Sequence, residues 1–149
     1  MIEVTKATLG DIPELCSLLE LLFIQESEFK PNHELQARGL AAVIGGSDIG
    51  NILIMRKSGQ VVGMVNLLYT ISTVMGERVA ILEDLVIAPA ERGIGSGTHL
   101  LEYAIKFAQE KGCRRITLLT DHNNDSVHRF YERHGFSRSS MTAFRLLLT

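Results

Sequence analysis

Three apolar runs dominate the middle of the chain: "NILIMRK" (51–57), "QVVGMVNLLYTI" (60–71) and "RVAILEDLVIA" (78–88). Each is rich in Val, Ile and Leu and is bounded by turn residues, which reads as a strand. Ser58-Gly59 joins the first pair as a hairpin signal, and a turn around Met75-Gly76 leads into the third. The three runs predict an antiparallel meander.

The flanking segments decide what the meander joins. "IEVTKAT" (2–8) alternates like a strand. Asp11 reads as an N-cap with Pro13 in the first turn and Glu14 three residues on. Leu15, Leu18, Leu19 and Leu22 then recur at helical spacing, predicting a helix over 12–24. A weaker helical pattern runs from His33 to Ile44 and stops at Gly45-Gly46. After the meander, Leu101, Ala104, Ile105 and Ala108 form the buried stripe of a helix over about 98–111, ended by Gly112. "RRITLLT" reads as a strand, "NDSVHRFYERH" as a helix closed by Gly135, and "MTAFRLLL" as a final strand. A meander followed by a strand–helix–strand unit implies an α/β fold of the α+β kind. Its mixed, mostly antiparallel sheet carries helices on both faces. No linker, repeat or low-complexity tract interrupts 1–149, which predicts one continuous domain.

Composition narrows the function. A formal charge of −2 supplies no basic field for a phosphate backbone, which argues against nucleic-acid binding. No apolar run approaches the roughly 18 residues that span a bilayer, and the N-terminus lacks the features of a signal peptide. The expectation is a cytoplasmic protein with no membrane partner. Cys16 and Cys113 lack C-x-x-C spacing, and the five histidines form no HxxxH pair, so no metal site is expected.

The sharpest local feature is "APAERGIGSGTHLLEYA" (88–104), which places Gly93, Gly95 and Gly97 within five positions just before a helix. Glycine there costs stability, so a tight turn or a ligand must require it. A P-loop would need a lysine after the last glycine, and none follows Gly97. A dinucleotide fingerprint starting at Gly93 meets Thr98 in its third glycine slot, and one starting at Gly95 meets Leu100. What is left is an ordinary strand-to-helix turn, or successive amides over 93–98 that point at an anion, with Arg92 at the entrance.

"LEDLVIAPAERGIGSGTHLLEYA" resembles the core motif of the GCN5-related N-acetyltransferase (GNAT) superfamily, its R-x-x-G-x-G pattern filled by Arg92, Gly95 and Gly97. "NDSVHRFYERHGF" is similar to that superfamily's N-x-x-A-x-x-F-Y-x-x-x-G-F motif at Asn124, Phe130, Tyr131, Gly135 and Phe136, with Val127 in the Ala slot. The motifs come in the family's order, and the opening "IEVTKATLGDIPEL" resembles its first strand and helix.

The resemblance implies a sheet splayed between its fourth and fifth strands, with acetyl-CoA as co-substrate and an amine attacking directly in a ternary complex. It implies that main-chain groups of Leu85, Val86 and Ile87 pair with the pantetheine arm. The amides of Arg92, Gly93, Ile94, Gly95, Ser96, Gly97 and Thr98 would receive the diphosphate, and Asn124 would flank the thiol end. Tyr131 falls in the slot that protonates the CoA thiolate. The alkylammonium acceptor, with a pKa of about 10, must also lose a proton. Glu83 and Asp84 are the nearest acids. Neighbours on an extended strand point to opposite faces, so at most one should serve, and Glu83 is favoured. Glu26, Phe29 and Asp84 are candidate acceptor contacts, and the acidic stretch with Glu26, Glu28 and Glu34 would attract a cation. The leading expectation is an N-acetyltransferase acting on a small-molecule amine. Alternatives are a protein or peptide acetyltransferase and a non-catalytic acyl-CoA-binding module. Association into homodimers is common in the family.

Overall fold

The computed structural model describes residues 1–25 and 31–148 and divides into two compact units, Met1–Leu119 and Thr120–Thr149. The first unit holds a five-stranded sheet in the order β1 (Ile2–Lys6), β2 (Gly50–Lys57), β3 (Gln60–Ser72), β4 (Glu77–Ile87) and β5 (Ile116–Leu118). Every pairing is antiparallel except β4 with β5, which is parallel. The meander is therefore as expected, and Ser58 (φ 52°) and Gly59 (φ 83°) turn it with the paired positive φ values of a type I′ hairpin.

Helices α1 (Ile12–Gln25) and α2 (His33–Ile44) pack on one face of the sheet. Leu15, Leu18 and Leu19 of α1 and Leu40 of α2 bury against Ile52, Ile54, Met64 and Val86. The opposite face receives α3 (Ser96–Glu110) through Leu100, Leu101, Ala104 and Ala108. There a Cβ on Gly63 would come within 3.4 Å of Leu100 Cδ2 and 2.8 Å of Ile87 Cδ1, so glycine admits the close approach of α3 to β3. The buried stripe includes Leu100 and leaves Ile105 half-buried, and α3 starts two residues earlier than expected.

The N-terminal cap also lies one turn earlier than the sequence indicated. Thr8 caps a 3₁₀ turn over Leu9–Asp11, and Asp11 Oδ2 accepts from Thr8 N at 2.8 Å. Asp11 is buried, with Arg56 Nη2 2.5 Å from its Oδ1, and these partners hold its carboxyl below the usual range against the cost of burial. The acid thus clamps the start of α1 to β2 instead of capping the helix alone.

The second unit contains α4 (Asp125–Arg133), capped by Asn124 and followed by Gly135 in the left-handed region. The expected strand "MTAFRLLL" does not form: 141–148 carry no regular structure, and Phe144 and Leu148 stand exposed. A short apolar run alone does not make a strand. It needs a ladder partner, and among its described residues this unit has no other strand.

Candidate active site

The turn between β4 and α3 is built from main-chain geometry. After a 3₁₀ turn at Pro89–Glu91, Arg92 is extended, Gly93 takes φ 80°, and Gly95 caps α3 at φ 88° and ψ 4°. Among the described residues no side chain caps this helix, and its first internal bond runs from His99 N to Gly95 O at 3.0 Å. The amides of Ser96, Gly97 and Thr98 precede that bond and have no helical acceptor. A Cβ on Gly93 or Gly95 would meet nothing within 4 Å, so the glycines serve backbone conformation and not space. The result is an open, uncapped helix N-terminus, a natural anion site.

Two contacts steady it. Lys57 Nζ holds Glu91 Oε2 at 3.0 Å, tying the turn to β2, and Arg92 Nε donates to Ile87 O at 2.9 Å. The Arg92 side chain is thereby fixed by one donor while the guanidinium retains others for a ligand. Ile94 is exposed beside it.

The edge of β4 is open next to this turn. Pairing with β5 covers only Ala80, Ile81 and Leu82, so from Glu83 onward β4 continues without β5. This is the parting of strands four and five that the resemblance implied. Ala88 N donates to Val62 O at 2.8 Å, and by antiparallel alternation Ile87 faces the other, open edge while Val86 faces β3. Of the expected trio, Ile87 is thus available along the edge, with its carbonyl already engaged by Arg92.

Opposite this edge lies a bulge. Met64 pairs with Val86 and Asn66 with Glu83, so the single residue Val65 faces both Asp84 and Leu85. Asp84 absorbs the extra residue with φ 56°, a left-handed conformation that aspartate tolerates better than most residues. The bulge cancels the strict alternation expected of Glu83 and Asp84. Glu83 shares a face with its partner Asn66, and Asp84 Oδ2 accepts from Asn66 Nδ2 at 3.4 Å, which brings both carboxylates to one face. Glu83 is exposed and Asp84 half-buried. Burial pushes the Asp84 carboxyl up to about 6, the Asn66 hydrogen bond opposes this, and the Glu83 charge reinforces it.

Asn66 escaped the sequence reading, since a lone Asn within "QVVGMVNLLYTI" carries no motif. A polar residue inside an apolar strand was the available signal. Its side chain is buried.

The remaining expected residues lie in the second unit or outside the described residues. Asn124 Oδ1 accepts from Val127 N at 3.3 Å and Ser126 Oγ at 3.1 Å, so it is a helix cap. Tyr131 packs edge-on against Phe130 (5.2 Å between centroids) and Phe136 (5.5 Å), and burial raises its hydroxyl to about 12. Glu26, Glu28 and Phe29 lie outside the described residues. Glu34 is exposed on α2, 3.7 Å from Arg38. Among the described residues, no group of three acidic, His or Cys side chains could hold a metal, and no helix is long and apolar enough to cross a membrane.

A mixed sheet whose fourth and fifth strands part beside a glycine-turned helix N-terminus defines an acetyltransferase fold. The acetyltransferase (GNAT) family profile matches residues 13–136, and the chain belongs to that family. It is 35% identical over 89 residues to the uncharacterized N-acetyltransferase YhfO of Bacillus subtilis, a match spanning 60% of each protein. It is 30% identical to the glucosamine 6-phosphate N-acetyltransferase of Trypanosoma brucei brucei, over 79% of this chain and 88% of that one. It is 28% identical to the aminoalkylphosphonate N-acetyltransferase of Salmonella typhimurium, over 92% of this chain and 86% of that one. Among solved structures, one described as a transcriptional regulator from Bacillus halodurans superposes with a TM-score of 0.83 at 27% identity, covering 99% of this chain and 100% of that one.

Proposed function

We propose that this protein transfers the acetyl group of acetyl-CoA to a primary amine of a small molecule, directly from donor to acceptor. The observation that carries the reading is the uncapped N-terminus of α3, turned by Gly95 and flanked by Arg92, beside an open stretch of β4. This suits a diphosphate followed by an extended amide-bearing arm. The amides of Ser96, Gly97 and Thr98, with residues 92–95, would hold the diphosphate, and the edge at Leu85 and Ile87 would pair with the arm as an added strand does.

When bound, acetyl-CoA supplies an activated acyl group as a thioester. The protein's part is to take the amine's proton and to stabilise the leaving sulfur. The sequence favoured Glu83 as base; the geometry favours Asp84, half-buried and raised to about 6, which places its proton affinity near working pH while leaving it ionised above it. Glu83, exposed on the same face, then adds negative charge that draws a cationic amine. Tyr131, raised to about 12, stays a phenol throughout the physiological range and acts at the sulfur as a hydrogen-bond donor. Full transfer of its proton to a thiolate with a pKa near 8.5 would be uphill by roughly 3 to 4 units, or about 5 kcal/mol.

The two relatives whose names state an acceptor act on amines that also bear phosphate or phosphonate. The test is thiol release from acetyl-CoA across aminoalkylphosphonates, amino-sugar phosphates, amino acids, polyamines and peptides. Release with one small-molecule class supports the proposal. Acetyl-CoA binding without release from any acceptor points to a binding module, and release with peptides alone shifts the acceptor to protein. Failure to bind acetyl-CoA overturns the reading.

A further inference from the structure

We propose that Asn66 is a positioning residue for Asp84 whose side-chain amide follows the carboxyl's proton, turning over when Asp84 gains it. The inference rests on the reading of Asp84 as base, but its geometry is independent of that role.

Asn66 is 6% exposed, sits at the bulge of β3 and β4, and gives Nδ2 to Asp84 Oδ2 across 3.4 Å. Among the described residues its Oδ1 is buried with no hydrogen-bond partner. A buried amide oxygen without a donor is costly, so this orientation is held by what the other end of the amide does, and that is to face a carboxylate. An amide has a donor group and an acceptor of nearly the same size. With Asp84 ionised, Nδ2 must face it, because two acceptors would repel. With Asp84 protonated, the carboxyl O–H becomes a donor, and Oδ1, otherwise unpaired among the described residues, is the acceptor at hand. A half-turn of the amide meets that need without a change of volume. The proton stays on the Asp84 carboxyl throughout and is shared with Oδ1 as a hydrogen bond. Among the described residues the charge acting on Asp84 is that of Glu83, and β3 contributes the neutral Asn66. The rotating partner therefore offers a hydrogen bond to both states of the base, and because the bond to the charged carboxylate is the stronger of the two, it also holds the Asp84 midpoint down.

The titration that tests it needs no acceptor. In the wild-type protein, the Asp84 ¹³Cγ resonance and the Asn66 side-chain ¹⁵N and ¹H resonances are followed from pH 4 to 9. The expected result is a common midpoint near 6, within 0.3 units, with a shift in the Asn66 amide protons as large as a change of hydrogen-bond partner produces. An Asn66 amide that stays constant while Asp84 titrates overturns the proposal. Asn66→Leu, which removes the donor to the carboxylate, should raise the Asp84 midpoint by at least half a unit, and N66D should raise it further. An unchanged or lowered midpoint in N66L overturns the tuning role. If N66L does not fold, the wild-type titration alone decides. Asp84→Asn separates the two ideas: persistence of the acid limb of kcat/KM in D84N removes Asp84 as base, while the Asn66 titration stands or falls separately.

Discussion

Asp84, the proposed base, sets stability against chemistry. Burial pushes its carboxyl up to about 6 in the folded chain, against 3.8 for a free side chain. A raised acid contributes stability that is complete below about pH 4 and is lost as pH rises through 6. The loss approaches roughly 3 kcal/mol at pH 8. Asp84→Asn should therefore raise Tm by several degrees at pH 8, with the gain shrinking toward pH 5, as scanning calorimetry would register. The same variant should lower kcat about 100-fold or more, the usual worth of a general base. In the unmodified enzyme, kcat/KM should fall as pH drops through about 6. Tyr131 makes the opposite case: a hydroxyl raised to about 12 should give no alkaline limb below pH 10. Tyr131→Phe should cost about tenfold in kcat at saturating substrates, and a retained kcat would remove it from the reaction.

At the level of elements, the β4–α3 turn depends on Gly95 for conformation and not for room. Gly95→Ala puts a side chain at φ 88° with nothing in its way, so the cost is backbone strain of about 1 to 2 kcal/mol. Relief of that strain would turn the amides of Ser96, Gly97 and Thr98 away from the proposed diphosphate. The expected phenotype is a raised KM for acetyl-CoA with kcat little changed, measured with the acceptor held at saturation. Gly50 in β2 presents the contrary constraint, since a Cβ there would collide with the carbonyl oxygen of Leu67. Gly50→Ala should destabilise by at least 1 kcal/mol in urea unfolding without a specific effect on KM. The meander and helices α1 to α3 were legible because apolar spacing of two or three to four residues reports directly which face is buried. The segment 141–148 was misread because a short apolar run reads as a strand, yet strand formation rests on a ladder partner that the run does not name.

For the whole molecule, binding should act as a stabiliser by mass action. Acetyl-CoA at about 100 times its Kd should add roughly 2.7 kcal/mol and raise Tm by about 5 to 10 °C. Thermal unfolding monitored against acetyl-CoA concentration checks this, and Gly95→Ala should need more ligand for the same shift. The family match over 13–136 runs through both compact units, so the residues it brings under one family description belong to separate packing units in the fold.

Sequence alone determined the family, the order of strands and helices as far as α4, and the glycine-turned loop, because each is written in local periodicity or in contiguous motifs. It also named both acids, Glu83 and Asp84. Their common face, the elevated carboxyl and the buried amide of Asn66 were decided only by tertiary structure. They arise where one extra residue in β4 meets a neighbouring strand 18 residues away, and no pattern within either strand records that register.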